Sequence, residues 1–398
     1  MRTEKITSSS WSMVTRNMRQ YSMFIALLLI MGLSHVLTSG LFLTARNLTN
    51  LFLQTGYIAV LAIGMVLVIV AGEIDLSVGA VAAFCAAIAA LLNVRYGLGT
   101  VPVLCIALLL GTFTGAIQGS IIAYCGVPAF IVTLAGQMFF RGAVIAITGG
   151  NTLGPFDETF SKLGSGYLPD FIGSLLALPK GFNYTAMVIG LMLIAVLVVM
   201  QVKKRGKRIS YGFEVPSLGF TVAQLVILSA LIAFFAYNLA SYKGIPYTII
   251  VVAAFVVFYT YLAQRTKIGR NVYAVGGNPL AAALSGINVK RTTFTVFISM
   301  GFLAAVSGML FAARMSSASP STGTSFELEA IAASYVGGVS SRGGIGTVIG
   351  ALIGALVIAS INNCMSLLNA EVWLQYMVKG AVLVIAVLFD IMARKKRG

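Results

Sequence analysis

The feature that most constrains this chain is an apolar run of about 20 residues that recurs along nearly its whole length, starting with Ser22 to Leu43. A run of that length crosses a bilayer as a helix, because a helix satisfies its own backbone hydrogen bonds where no water can. A soluble domain could not hide this much apolar surface. Of the 398 residues, 59% are hydrophobic and only 10% charged, against about 45–50% and about 25% in ordinary soluble domains. The sequence therefore reads as an all-α membrane protein, a polytopic helical bundle.

About twelve spans are expected, at 22–43, 50–72, 76–94, 101–124, 128–149, 184–202, 219–240, 246–263, 292–313, 327–341, 345–367 and 374–392. The tenth is short enough to be a kinked or half-buried helix. The first is too long for a signal-peptide core and lacks a small-residue cleavage site, so it reads as a retained anchor. The expected organisation is a cytoplasmic segment 1–21, one transmembrane domain over 22–392 and a basic tail 393–398.

The net charge of +16 reports topology, because short cytoplasmic loops concentrate Lys and Arg. Placing "KKRGKR" (203–208) inside fixes the other loops by alternation. The N-terminal segment, the 264–291 loop and the terminal "RKKRG" then also lie inside, so both termini are expected in the cytoplasm. The basic residues follow the loops and form no nucleic-acid patch.

Several chemistries are excluded. His35 is the only histidine, so neither a Ser-His-Asp arrangement nor a His-based metal site can be built, and it reads as a packed polar residue. Cys85, Cys105, Cys125 and Cys364 lie in or at the ends of apolar runs with no CxxC spacing and are expected to be buried reduced thiols. Gly206-Lys207 is followed by Arg208 and lacks the upstream glycine of a phosphate loop. No cofactor is expected in this chain; any ATP and Mg would be bound by another polypeptide.

Four stretches carry the remaining information. In "VAGEIDLSVG" (70–79), Glu73 and Asp75 fall at a cytoplasmic turn between the second and third spans. Asp75 is expected to cap the helix beginning at Leu76, with Ser77 adding a local hydrogen bond and Gly79 allowing close helix approach. If the turn is drawn deep into the protein, Asp75 instead faces a transport path. In "FIVTLAGQMFFRG" (130–142), Thr133, Gln137 and Arg141 form a polar stripe on one helix face. The stripe is either part of a translocation path or a structural ion pair, with Glu327 and Glu329 at the outer end of the tenth span as partners. Lys379 is a second cation inside a span.

In the 264–291 loop, Asn278 suits an N-cap, Pro279 the first helical position and Gly286 the position past the end, so 279–285 reads as a short helix. From the pattern alone it either lies on anionic lipid or docks into a partner's groove. In "GGVSSRGGIGTVIGALIGALVIASINN" (337–363), Gly346, Gly350 and Gly354 recur every four residues and suit close helix packing. Asn362 and Asn363 could line a polar path or bond between helices.

Taken in order, "GEIDLSVG" (72–79), "FIVTLAGQMFFRG" (130–142), "AVGGNPLAAALSGI" (274–287) and "VGGVSSRGGIGTVIGALIGA" (336–355) resemble the membrane permease subunits of bacterial ATP-binding-cassette importers for monosaccharides. The resemblance runs from roughly residue 44 to 392 and is greatest to the xylose and multiple-sugar permeases. It implies a fold like the ten-helix vitamin B12 importer permease, plus an inserted hairpin at about 156–243. It also implies a homodimer, a cytoplasmic ATPase and a periplasmic sugar-binding protein. Asn278, Pro279, Ala282, Ala283, Ser285 and Gly286 would then form the coupling helix that docks the ATPase. Sugar choice would rest with the binding protein. The competing reading, an ion-coupled secondary transporter, needs ionisable groups near the midplane, whereas all 11 acidic residues fall in loops or near span ends. A permease of the same family for another small polar solute is the other alternative.

Overall fold

The computed structural model describes residues 18–213, 215 and 217–395. The expected N-terminal segment and basic tail thus lie largely outside the described residues. The structure is 77% helix. In chain order the helices are α1 Met18–Leu37, α2 Ala45–Val70, α3 Val78–Ala90 (continued by a π turn, Leu91–Arg95), α4 Thr100–Cys125, α5 Ala129–Thr148, α6 Glu158–Ser165, α7 Phe171–Leu175 and α8 Tyr184–Ser210. There follow α9 Leu218–Ala240, α10 Tyr247–Arg265, α11 Lys267–Gly277, α12 Pro279–Leu284, α13 Val289–Met315, α14 Phe326–Val336, α15 Val348–Leu367 and α16 Val372–Lys395.

The breaks follow local chemistry. Asn183, Ser217, Thr266, Asn278, Asn288 and Thr347 each stand at a helix start and accept an N–H from the first turn. Gly126 and Gly149 end α4 and α5 in the left-handed conformation that an L-residue resists.

Among the described residues, nine helices are long and apolar enough to cross a membrane, and Met23–Leu37 and Val372–Ile385 are shorter apolar stretches. The expected span 327–341 is only the 11-residue α14. At about 1.5 Å per residue, α14 reaches about half-way through a bilayer. The "KKRGKR" segment is the last turns of α8 rather than a loop.

The chain packs as two compact units. One holds Leu43–Asn50 and Tyr167–Pro246, where α8 and α9 pair as a hairpin. Asp170 ties its start together, accepting N–H groups from Gly173 and Thr185 at 3.0 and 2.9 Å. The other holds Met23–Phe42, Leu51–Gly166 and the chain from Tyr247 onward. Residues 156–166, grouped with the insertion on sequence, belong to this second unit, and Gly164 of α6 lies against the α13 backbone at Leu310 and Arg314.

The core of the second unit is α2, α3 and α13, whose faces are buried almost all round. α4 meets α13 through a stripe the sequence reading missed, Gly111, Gly115 and Gly119. A Cβ on Gly115 would stand 2.3 Å from the Phe297 carbonyl, so only small residues let these backbones approach. Gly350 and Gly354 lie against the backbone of α14 and its end, at Gly337 and Ala333. Gly346 departs from the expected common face: it precedes Thr347, the N-cap of α15, and touches Val70 and Val339. Cys85 and Cys364 are buried, but Cys105 and Cys125 are exposed, which corrects the expectation of four buried thiols.

Candidate functional site

Inside the second unit a polar seam joins the turn before α3 to α4, α5 and the start of α14. Asp75 is 3% exposed, and its Oδ1 accepts both the Ser77 N–H at 2.8 Å and the Ser77 hydroxyl at 2.7 Å. The helix begins two residues later than expected, at Val78 with Ser77 as its N-cap residue. Asp75 therefore fixes the cap residue instead of capping the helix. It is also not at an open edge, because the surrounding chain encloses it. Glu73, two residues earlier, is half-buried.

Ser77 Oγ also lies 3.0 Å from the Gln118 side-chain amide. One hydroxyl proton serves one acceptor, so both contacts are satisfied when Gln118 turns its N–H toward Ser77. A Cβ on Gly79 would meet Glu327 Oε2 at 2.4 Å, so the starts of α3 and α14 come together here.

The α5 stripe faces this seam. The Thr133 hydroxyl lies 3.5 Å from the Ile74 carbonyl, and the Gln137 amide donates to Glu327 Oε1 at 3.0 Å. Arg141 donates to the carbonyls of Pro320 and Thr322 at 3.0 and 2.7 Å. The expected ion pair of Arg141 with Glu327 or Glu329 is not formed among the described residues; the guanidinium instead holds the loop that precedes α14. Gln137 sits mid-way along α5, so Glu327 is at mid-helix depth rather than at the outer end of a span. α14 is thus a half-length helix, preceded by the irregular segment 316–325 and running antiparallel to α15. Such broken helices are tolerated at membrane depth only where protein surrounds their free backbone groups, and Arg141 supplies part of that cover.

The second feature is a cavity of about 200 Å³ between α2, α13, α14 and α15. Its polar wall is Gln54, Tyr57, Arg314, Glu329, Asn362 and Ser366. Glu329 Oε1 accepts from Lys379 Nζ at 2.6 Å and from Asn362 Nδ2 at 3.3 Å. Lys379 therefore has a partner in Glu329. Asn363 is buried and does not line this cavity. Arg314 stands at the end of the 27-residue α13 opposite to Val289, so about 40 Å separate the cavity from the α11–α12 segment.

That segment is the third feature. Asn278 accepts the Ala281 N–H at 3.0 Å, Pro279 opens α12, and Gly286 has φ +81°. Asn278, Pro279, Ala283, Ser285 and Gly286 are exposed. Ala282 is 4% exposed and faces its own chain, which corrects its place in the docking set. Leu280 and Leu284, which the sequence reading passed over, are 71% and 83% exposed. They are four residues apart and share one face. Beneath them lies Gly276, where a Cβ would stand 1.6 Å from the Val70 carbonyl and 2.9 Å from Gly344 N.

Residues 47–178 and 163–387 match the family described as "Branched-chain amino acid transport system / permease component". The chain belongs to this permease family. It is 40% identical over 381 residues to the xylose transport system permease protein XylH of Haemophilus influenzae, covering 96% of this chain and 98% of that one. It is 38% identical to XylH of Escherichia coli K12, covering 96% and 93%. It is also 33% identical to the ribose import permease protein RbsC of Haemophilus influenzae, covering 92% and 91%. No solved structure matches it. The chain is a multi-pass membrane protein and a transport subunit of an ATP-binding-cassette importer, not an enzyme.

Gln54, Tyr57, Gln118 and Arg314 were missed because each is a lone polar group inside or at the end of an apolar run. Only the three-dimensional meeting of four helices shows that Gln54, Tyr57 and Arg314 share a wall.

Proposed function

We propose that this chain translocates a monosaccharide of the xylose type inward across the bacterial inner membrane. Two copies form the pathway, a separate cytoplasmic ATPase drives it and a periplasmic sugar-binding protein feeds it. ATP and Mg belong to the ATPase, and this chain contributes no cofactor. Both termini and the α11–α12 segment face the cytoplasm, in accord with the cations at Arg265, Lys267, Arg270, Lys290 and Arg291. The observation that carries this reading is the near full-length identity of 40% to a xylose permease.

The residues fit the division of labour. Leu280 and Leu284 offer two apolar anchors for a groove on the ATPase. A rigid shift of α12 reaches α2 and the 343–344 loop through the Gly276 contact, and closure of the two ATPases would switch access in this way.

Proteoliposomes holding the permease and its ATPase, with the binding protein added outside, test the reading. D-xylose uptake is expected to require internal ATP and to survive a protonophore. Uptake that persists without the ATPase and collapses with the protonophore would overturn it.

A further inference from the structure

The resemblance leaves sugar choice to the binding protein and asks of the permease only a passive, polar path. The cavity between α2, α13, α14 and α15 argues for more. We infer that it is a monosaccharide subsite within a single permease subunit, a station that reads ring hydroxyls in the half of the protein remote from the ATPase. This inference rests on the proposed function.

The first argument is size. A cavity of about 200 Å³ falls below the roughly 300–1,000 Å³ that drug-sized ligands occupy. It matches the size of one sugar ring.

The second is the chemistry of the wall. A sugar hydroxyl both donates and accepts. The amides of Gln54 and Asn362, the phenol of Tyr57 and the hydroxyl of Ser366 do the same, and Arg314 adds donors. Ile58 and Ile358 give an aliphatic face for the ring C–H groups. An amino acid, the solute in the family's description, would need a carboxylate free to hold its ammonium group. Glu329 is already engaged by Lys379 at 2.6 Å.

The third is pre-organisation. The Tyr57 ring packs in a three-ring cluster with Phe311 and Phe326, with centroids 5.0 and 4.6 Å away, and its backbone carbonyl accepts the Ser307 hydroxyl at 2.9 Å. Asn362 is oriented by its Nδ2 bond to Glu329, which leaves Oδ1 buried with no protein donor. A buried acceptor left unpaired destabilises the site. A ligand hydroxyl would offset that, and a site that holds its groups ready discriminates between hydroxyl patterns.

The test uses the permease–ATPase complex in nanodiscs without the binding protein, and radiolabelled D-xylose read by scintillation proximity. Millimolar, saturable binding is expected, one sugar per permease chain. Tyr57→Phe keeps the clustered ring and removes one hydroxyl, and is expected to weaken binding about tenfold. Asn362→Leu removes the unpaired acceptor and is expected to abolish binding. Because Tyr57→Phe is nearly isosteric, its result stands even where Asn362→Leu fails to fold. A wild-type complex that imports xylose with its binding protein but shows no saturable site overturns the inference and leaves the proposed function intact. So does binding that neither variant changes, or displacement by leucine or by xylonate as effective as that by xylose. A wild-type importer that takes up no xylose removes the proposed function itself.

Discussion

The two ends of the α2–α13–α15 core are built differently. At the α11–α12 end, contact is backbone on backbone: Gly276 lies on the Val70 carbonyl and on Gly344, and the Gly344 N–H donates to Val70 O at 2.8 Å. At the other end the same helices part around a cavity lined by side chains. A joint with no side chains between its parts transmits displacement without slack, because packed backbones have no rotamers to absorb it. A cavity walled by side chains can accept and release a ligand. One end is thus suited to receive force and the other to hold cargo.

The sharpest way to break this comparison is to put bulk into the joint. Gly276→Val places carbon where the Val70 and Gly344 backbones stand, and neither can step aside. Overpacking costs about 1–3 kcal/mol and occasionally more; here more than about 3 kcal/mol is expected, read as loss of monodisperse permease on size-exclusion chromatography. Gly277→Ala is the control, because a Cβ there meets nothing within 4 Å, and its melting temperature is expected to stay near wild type. Equal behaviour of the two variants would show that the joint is not tight.

A smaller effect on the fold, though a large one on assembly, is expected at the exposed face of α12. Leu280→Asp with Leu284→Asp alters side chains that touch little of their own chain, so the permease should insert and melt normally. Each buried leucine is worth about 1.5–3 kcal/mol in an interface, so copurification of the ATPase should fall by more than about tenfold. Ala282→Leu is expected to act differently. Its side chain is buried against the permease, so it should lower the melting temperature first. Retained copurification in the double aspartate variant would remove α12 as the docking element.

These two ends were not equally legible in the sequence. The coupling segment could be read closely because its signals are local: an N-cap, a proline at the first position and a glycine after the end specify a short helix within ten residues. Only its facing was misjudged, since Ala282 and Ala283 are chemically alike and the packed neighbours decide which is buried. The long spans were legible for the same reason, through length and apolarity. The cavity was not, because Gln54, Arg314 and Asn362 come from helices far apart in the chain and carry no shared spacing. Arg141 was found but given the wrong partner. Charge pairing suggests a glutamate, while the irregular segment before α14 offers bare carbonyls that sequence does not reveal. Half-helix α14 was visible only as a span too short to cross.

The mildest prediction sharpens the comparison at a third place, the loop following α5, where side chains do the tying that backbone does at Gly276. Asp157 caps α6 by accepting the Phe160 N–H at 2.6 Å, and it accepts from Asn93 at 2.9 Å and Thr100 at 3.1 Å, so one carboxylate joins the ends of α3, α4 and α6. Desolvation alone would push this carboxyl up, but the three donors together outweigh it and hold it below the usual carboxylate range. A carboxyl held low in the folded state adds stability that is complete above its unfolded value of about 3.9 and fades as pH falls through the folded value. The clamp should therefore be indifferent to pH between about 5 and 8 and loosen only below about pH 4. Asp157→Asn keeps the shape but loses the charge, and is expected to cost about 1–2 kcal/mol at neutral pH, read as a lower melting temperature in nanodiscs. Near pH 3 the difference from wild type should shrink, since the wild-type carboxyl is then being neutralised as well. A gap that stays constant down to pH 3 would mean that the ionised carboxylate is not what holds these three helix ends together.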